Sequence, residues 1–288
     1  MVEEEERQGH AIRVHEPSQP EAILSKFDGP PDVLCIHSQL GAATYHDGVP
    51  KIMWMHGEPL SSVGNGISMR AIVDLAPLMD AFICMRKDEW PIWNAIKRTY
   101  LVPKGVDLRH FHPLAGGVEK LVGEPAILYY ENWRRERNPL ILCRAMVEVV
   151  KILPRARLHL YNCPGGKMGD TFHQLIRHCR WATFVKSLRG PETDVNGLLN
   201  RADIVVSCLY PLYARGIEAL AAGKAFIGPG YREHDYPFQC DLEVHSLAAT
   251  IVRCWENYGT INYREWAERH HDVAMTVAQS MDVYRRYV

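Results

Sequence analysis

The sequence of 288 residues contains no uninterrupted run of eighteen apolar residues and no Cys-x-x-Cys pair. The missing run excludes the usual transmembrane helix, and the acidic start, MVEEEERQGH, lacks the pattern of a signal peptide. The eight cysteines are scattered, without the spacings typical of zinc sites or disulfide frameworks. We therefore expect a soluble, cytoplasmic protein with no transmembrane segment.

The chain also lacks an excess of charge of either sign. Its formal net charge is −1, so no overall field draws it to nucleic acid or to an anionic membrane. Basic segments such as KRTYLVPK and RWATFVKSLR are present, but we interpret most of them as solvated faces. Apolar residues make up 47% of the chain, which is enough for a full hydrophobic core.

Short apolar runs alternate with helical patterns along the whole chain. Most of the runs are continuously apolar, as expected for parallel strands that are covered on both faces. The helical pattern over 138–154 places Leu142, Met146 and Val149 or Val150 on one face and ends at a proline. The alternation predicts doubly wound parallel sheets, and the length suits two α/β domains.

A proline, three glycines and several charges interrupt this alternation over 113–124. We interpret that segment as a linker between an N-terminal domain, 1–112, and a C-terminal domain, 125–260. The last segment, 261–288, has helical spacing. The first domain lacks the opening strand and Gly-rich turn of most doubly wound domains, because the chain begins at what looks like the end of the first helix.

The segment RGIE follows the predicted strand DIVVSC and is predicted to open a helix at Gly216, with Glu218 in the first turn. Ligands of parallel sheets bind at the carboxyl ends of the strands, where free N–H groups at helix N-termini favour phosphate. The N–H groups of Arg215, Gly216 and Ile217 would point at such an anion. Glu218 would repel it, so this residue either binds a neutral hydroxyl pair such as ribose or complements the helix dipole.

Other polar residues also follow predicted strands. Arg134, Arg135 and Arg137 come after the first strand of the second domain, where guanidinium groups would clamp a diphosphate. The alternative is a solvated basic loop. His56 follows a strand of the first domain and would donate a hydrogen bond to a sugar hydroxyl or a phosphate. A purely structural histidine is the alternative there.

The order of these motifs resembles that of the family 4 retaining glycosyltransferases, which have the GT-B fold and use nucleotide-sugar donors. GHAIRV is similar to the family's GHEV-x-V, PDVLCIHSQL to PDVIH-x-H, and KIMWMHGEP to V-x-T-x-HG. The most specific match is YLVPKGVDLRHFHPL to I-x-V-I-P-N-G-V-D-x-x-x-F-x-P. RADIVVSC and IEALAAGKAFIG then match A-D-V-x-V-x-P-S and x-EA-x-A-x-G-x-P-V-V, so the likeness covers nearly the whole chain.

The resemblance implies two Rossmann-like domains that face each other across a cleft, with the helix of 261–288 crossing back to the first domain. It implies that Glu218 binds the ribose of the donor, and that the amides of the preceding loop contact phosphate and sugar. His56 matches a histidine that lies close to the reacting sugar carbon.

The resemblance also implies how the diphosphate is neutralised. Arg137 stands where the family has a lysine, and Asn132 stands where it has an arginine. Arg134 or Arg135 would therefore supply the second positive charge. With arginines in that role, the donor would bind without a metal or another cofactor.

Two departures, the missing Gly-rich turn and Tyr210, keep a second hypothesis open. The family's Glu-x7-Glu motif requires a glutamate at position 210, where this chain has Tyr210, and that glutamate holds hydroxyls of the donor sugar. The first hypothesis is a glycosyltransferase that uses a UDP- or GDP-linked sugar and retains its configuration. The second is a degenerate protein of this fold that binds a nucleotide or a partner without transfer. The acceptor is not identified, and arginine-rich segments near tryptophans keep a polynucleotide acceptor open.

Overall fold

The computed structural model describes part of the chain. The described residues are 32–37, 48–55, 69–116, 118–131, 139–161, 174, 176–185, 194–208, 214–229 and 236–288. They divide into two compact units. Unit 1 contains the described residues up to Gly105 together with Val273–Val288, and unit 2 contains those of Val106–Asp272.

Both units consist of strands and helices in alternation. The strands are β1 (Leu34–His37), β2 (Lys51–Met55), β3 (Ala81–Cys84), β4 (Thr99–Leu101), β5 (Ala126–Tyr129), β6 (Arg157–Tyr161), β7 (Ala182–Val185), β8 (Ile204–Val206), β9 (Ala225–Pro229) and β10 (Gln239–Cys240). The α-helices are α1 (Met69–Leu75), α2 (Trp90–Ile96), α3 (Pro139–Ile152), α4 (Val195–Arg201), α5 (Ala214–Ala221), α6 (Val244–Glu256), α7 (Tyr263–His271) and α8 (Val273–Tyr284). A short 3-10 helix, Ala76–Leu78, follows α1.

Unit 1 has a four-stranded parallel sheet in the order β1-β2-β3-β4. Every residue of β2 and of β3 is buried, which explains why both strands are apolar apart from Lys51. Successive side chains of a strand point to opposite faces. Met53 accordingly packs on one face with Trp93 of α2, whereas Trp54 packs on the other with Tyr284 of α8.

The C-terminal segment 261–288 forms two helices instead of one. α7 belongs to unit 2 and α8 to unit 1, with Asp272 between them in an extended conformation. The indole N–H of Trp54 donates a hydrogen bond of 2.9 Å to the hydroxyl of Tyr284, and the hydroxyl of Thr276 donates one of 2.8 Å to the carbonyl of Pro103. These buried contacts make α8 an integral layer of unit 1.

Unit 2 has a six-stranded parallel sheet in the order β7-β6-β5-β8-β9-β10. Counted from the first strand of the unit, this is the order 3-2-1-4-5-6 of doubly wound nucleotide-binding domains. The predicted fold class, α/β with doubly wound parallel sheets, is confirmed. In such a sheet the chain reverses its direction of winding between strands one and four, here β5 and β8, and ligands bind at their carboxyl ends.

The predicted helix over 138–154 corresponds to α3, and its predicted apolar face is confirmed. Leu142, Met146 and Val149 are fully buried, while Val150 is half-buried beside the same core. The helix packs against α6. The sequence pattern identified this element well because a helix of three to four turns shows its period clearly.

The segment 113–124, predicted as a linker, lies within unit 2. The side-chain amide oxygen of Asn196 accepts from the backbone N–H of His112, and that of Asn200 accepts from Leu114, each at 3.1 Å. Leu121 is buried in the core of the unit. The division between units therefore falls earlier, at Gly105–Val106. The predicted absence of an opening strand concerns positions outside the described residues.

The buried imidazole of His159 on β6 should make the stability of unit 2 depend on pH. Its Nε2 lies 2.7 Å from the carbonyl oxygen of Val122. Burial lowers the pKa of His159 and Arg201 adds to this effect, while the hydrogen bond to Val122 opposes it. Because the unfolded chain binds a proton here at about pH 6.5 and the folded one resists it, the free energy of unfolding should fall as the pH drops below that value.

The expected result is a steeper loss of stability between about pH 7.5 and 5.5 for the wild type than for His159→Gln, since a glutamine does not titrate. Urea denaturation at the two pH values measures both. Equal losses in the two proteins would show that His159 does not carry this dependence.

No helix in the described part of the chain is both long enough and apolar enough to cross a membrane.

Candidate functional site

The site lies at the carboxyl ends of β5 and β8, the two central strands of unit 2. Tyr130 and Glu131 directly follow β5, and Ser207 directly follows β8. Ser207 donates its hydroxyl proton to Oε1 of Glu131, and both residues are buried. The backbone N–H of Ser207 also donates to Ile227 on β9, at 2.9 Å. Side-chain and backbone hydrogen bonds thus hold three neighbouring strand ends together.

Arg215 connects α5 to the end of β5. Its Nη1 donates a hydrogen bond of 2.7 Å to the backbone carbonyl of Tyr130. The guanidinium carbon lies 4.5 Å from the centre of the Tyr130 ring, which is a cation–π geometry. The Tyr130 ring in turn lies 5.0 Å from that of Tyr161, at the end of β6. The positive charge of Arg215 is therefore held at the carboxyl edge of the sheet.

The start of α5 differs from the prediction. The helix begins at Ala214, so Gly216 lies inside its first turn and Glu218 lies beyond that turn. The predicted register, with Gly216 at the start and Glu218 in the first turn, is wrong. Alanine and arginine are strong helix formers and extend the helix ahead of the glycine. One consequence is that Arg215 and Glu218, three positions apart, share one face of the helix.

The end of α5 is fixed by Gly223, which has a φ of +73°. Its N–H donates to the carbonyl of Leu220 and that of Lys224 to the carbonyl of Ala219, both at 2.9 Å. This pair of hydrogen bonds is the Schellman motif, which requires a left-handed residue that glycine adopts without strain. It sets the point at which the chain turns into β9.

Two of the predicted donor-binding residues are buried. The side chain of Ile217 is 2% exposed within the core of unit 2, so only its backbone is suited to contact a ligand. Gly216 is also buried, whereas Arg215 and Glu218 are half-buried. The remaining predicted site residues lie outside the described part of the chain: His56, Arg134, Arg135, Arg137 and Tyr210.

Tyr130, Glu131 and Ser207 are site residues that the sequence analysis did not identify. A carboxylate directly after an apolar strand was the signal available for Glu131, because buried charge needs a partner. Burial raises the pKa of the neighbouring Cys208 thiol, and the Glu131 carboxylate acts in the same direction. Cys208 therefore stays protonated and is not a nucleophile.

Within the described ranges, no three histidine, cysteine or acidic side chains come together as a metal site. Donor binding without a metal stays a prediction, as does the absence of another cofactor. The arginine side chain at this edge supplies one fixed positive charge, and the N-terminal turn of α5 supplies N–H groups that have no partner within the helix.

No family model and no curated protein matches this chain. Solved glycosyltransferase structures share its fold. A sucrose-phosphate synthase from Thermosynechococcus elongatus superposes with a TM-score of 0.70 at 16% identity, over 92% of this chain and 75% of its own. A glycosyltransferase from Rickettsia africae gives 0.66 at 14% identity, over 99% and 87%. HepE from Anabaena, solved with UDP-glucose, gives 0.65 at 15% identity, over 86% and 78%.

At these identities the likeness establishes the fold, which is of the GT-B type with two Rossmann-like domains. Membership of family 4 and retention of configuration stay predictions.

Proposed function

We propose that this chain is a glycosyltransferase whose donor, a nucleoside-diphosphate sugar, binds at the carboxyl edge of the unit 2 sheet. The observation that carries the proposal is that Arg215, which donates to the carbonyl at the end of β5, shares one face of α5 with Glu218. A donor of this class offers anionic phosphates and neutral ribose hydroxyls, which a cation and a carboxylate bind respectively. HepE, which shares the fold, was solved in complex with UDP-glucose.

Each chemical group of the donor has a partner in this proposal. Glu218 accepts hydrogen bonds from the ribose hydroxyls. The N–H groups of the first turn of α5, together with Arg215, bind the phosphates, because a helix N-terminus favours negative charge. Arg137, with Arg134 or Arg135, neutralises the rest of the diphosphate. Those arginines stand in the segment that joins Glu131 to α3.

The reaction we propose needs charge stabilisation more than a strong base. The bond between the sugar's anomeric carbon and the diphosphate breaks, and the acceptor hydroxyl forms the new bond on the same face, with retention. The acceptor proton leaves with the departing diphosphate, whose growing charge the arginines stabilise. His56 orients the sugar, and Tyr210 takes the place of a glutamate at its hydroxyls. Fixed positive side chains make a metal unnecessary.

Removing either charged partner should weaken nucleotide binding. We expect Glu218→Ala and Arg137→Ala each to raise the Kd for UDP or GDP by about 10- to 100-fold, because a hydrogen bond to a charged group contributes roughly 1.5–3 kcal/mol. Isothermal titration calorimetry measures the constants. Arg144→Ala and Glu256→Ala, exposed residues on α3 and α6, are the matched controls and should bind as the wild type does. Failure of the wild type to bind any nucleoside diphosphate at millimolar concentration would end the proposal.

Turnover separates the enzyme from the degenerate binding module that Tyr210 suggests. A panel of UDP- and GDP-sugars is incubated with the protein, and the released nucleoside diphosphate is measured. Release that Arg137→Ala abolishes supports transfer, with water as the acceptor. Binding without release from any donor supports the module.

A further inference from the structure

A second cluster of charged side chains lies at the opposite edge of the unit 2 sheet, at the amino ends of β8 and β9. Asp203 directly precedes β8, and Lys224 directly precedes β9. The Nζ of Lys120 and the hydroxyl of Tyr258 each lie 3.5 Å from Oδ1 of Asp203. The candidate donor site is at the carboxyl ends of the same strands, so the proposal that follows does not depend on it.

Backbone contacts hold this cluster in place. Oδ2 of Asp203 accepts a hydrogen bond of 2.9 Å from the N–H of Ala126 at the start of β5. Lys224 belongs to the Schellman motif that ends α5, with its N–H bonded to Ala219. The residue is only 9% exposed, which is unusual for a lysine because its charged amine prefers water. The position is thus defined by the fold and not by a mobile surface side chain.

The surroundings of Lys224 favour the neutral form of its amine. Burial lowers its pKa, and the neighbouring Lys120 ammonium lowers it further, to about 8, although Asp203 acts in the opposite direction. A large share of the amine is therefore neutral slightly above neutral pH. Only a neutral amine is a nucleophile, and enzymes that need one use desolvation or an adjacent cation in the same way.

We propose that Lys224 is a modification site that captures carbon dioxide as a carbamate. The lone pair of the neutral amine attacks the carbon of CO2, one carbon–oxygen π bond breaks, and the nitrogen releases a proton to solvent. The product is a carbamate anion, N–COO⁻, with no other reactant needed. A small neutral molecule suits a lysine that is only 9% exposed.

Lys120 favours the carbamate over the free amine. Its ammonium lies beside the Lys224 amine, and half of its side chain is exposed, so it can follow the new carboxylate. Before the reaction, protonation of Lys224 would place two cations side by side. Afterwards, Lys120 lies between two anions, the carbamate and Asp203. At the contact between Lys120 and Lys224, the reaction therefore exchanges a repulsion for an attraction.

The test traps the carbamate in the full-length protein. The protein is equilibrated at pH 8 with bicarbonate and CO2, alkylated with triethyloxonium, digested and analysed by mass spectrometry. We expect an ethyl carbamate at Lys224 in at least about tenfold excess over exposed lysines such as Lys151, because each unit of pKa changes the neutral fraction about tenfold. A carbamate signal in the ¹³C NMR spectrum with ¹³C-bicarbonate should accompany it.

Two variants decide the assignment. Lys224→Arg should abolish the trapped product and the carbamate signal. Lys120→Met keeps the nucleophile but removes the adjacent cation, so the yield at Lys224 should fall severalfold. Because the side chain of Lys120 is half-exposed, this variant should fold, and it tests the proposal even if Lys224→Arg does not fold. Trapping spread evenly over exposed lysines, or an unchanged yield in Lys120→Met, would overturn the proposal.

Discussion

Replacing Arg264 with methionine should lower the free energy of unfolding by about 3 kcal/mol. Its Nη1 donates to the backbone carbonyls of Leu108, Phe111 and Ala221, at 3.1, 2.5 and 3.0 Å. Methionine fills the space of the side-chain stem but leaves these carbonyls without the donor, and each buried unsatisfied group costs roughly 1–3 kcal/mol. Partial hydration of the carbonyls keeps the sum below the maximum. Urea denaturation measures the change.

Arg269→Met is the matched control on the same helix. Arg269 forms an ion pair of 3.0 Å with Glu265, and the side chains are 64% and 54% exposed. Exposed pairs of this kind contribute at most about 0.5 kcal/mol. Equal losses for the two variants would show that the three carbonyl contacts of Arg264 do not stabilise unit 2.

Replacing Gly105 with alanine should destabilise unit 1 by about 3 kcal/mol, because the interior has no space for a methyl group. A Cβ at this position would lie 2.5 Å from the Cα of Val273 and 2.5 Å from Oγ1 of Thr276. The first of these atoms belongs to the backbone, so the start of α8 would have to move. The hydrogen bond from Thr276 to Pro103 would be disturbed as well. Thermal unfolding, followed by circular dichroism, measures the loss.

Gly48→Ala separates this steric effect from backbone strain. Gly48 has a φ of +94°, and no atom of the described residues lies within 4 Å of an added Cβ, so alanine there should cost only about 1 kcal/mol of conformational strain. A loss for Gly105→Ala no larger than that for Gly48→Ala would contradict the close packing of α8 against residue 105.

The strands and α3 could be predicted from the sequence because their signals are local. β2 reads KIMWM and is buried throughout, which is what a strand covered on both faces requires. α3 repeats its apolar residues over fourteen positions, long enough for the helical period to be unambiguous. The apolar residues of these elements are the ones that are buried, and their spacing along the segment reveals whether it is a strand or a helix.

The boundaries between the units could not be predicted in the same way. The composition of 113–124 is typical of a linker, yet the amide side chains of Asn196 and Asn200, more than eighty positions away, fasten its start to α4. The segment 261–288 reads as one helix, yet it is divided at Asp272 between the two units. Hydrogen bonds between distant segments leave no trace in local composition.

The candidate site was partly predictable for a related reason. Arg215 and Glu218 were identified because they open a helix after a strand, which is a local signal. The partner of Arg215, the carbonyl of Tyr130, lies 85 positions earlier and meets it only because β5 and β8 are neighbours in the sheet. Arg215, one of the two helical residues ahead of Gly216, is held there by the same contact.

The central claim is that nucleoside diphosphates bind at the carboxyl edge of the unit 2 sheet. Hydrogen–deuterium exchange of the full chain, with and without saturating UDP or GDP, tests it most directly. The account predicts slower exchange in peptides that span 129–139 and 207–218, the ends of β5 and β8 and the first turn of α5. Slower exchange confined to the amino ends of β5 and β9, around 118–124 and 222–225, or no change in any peptide, would contradict it.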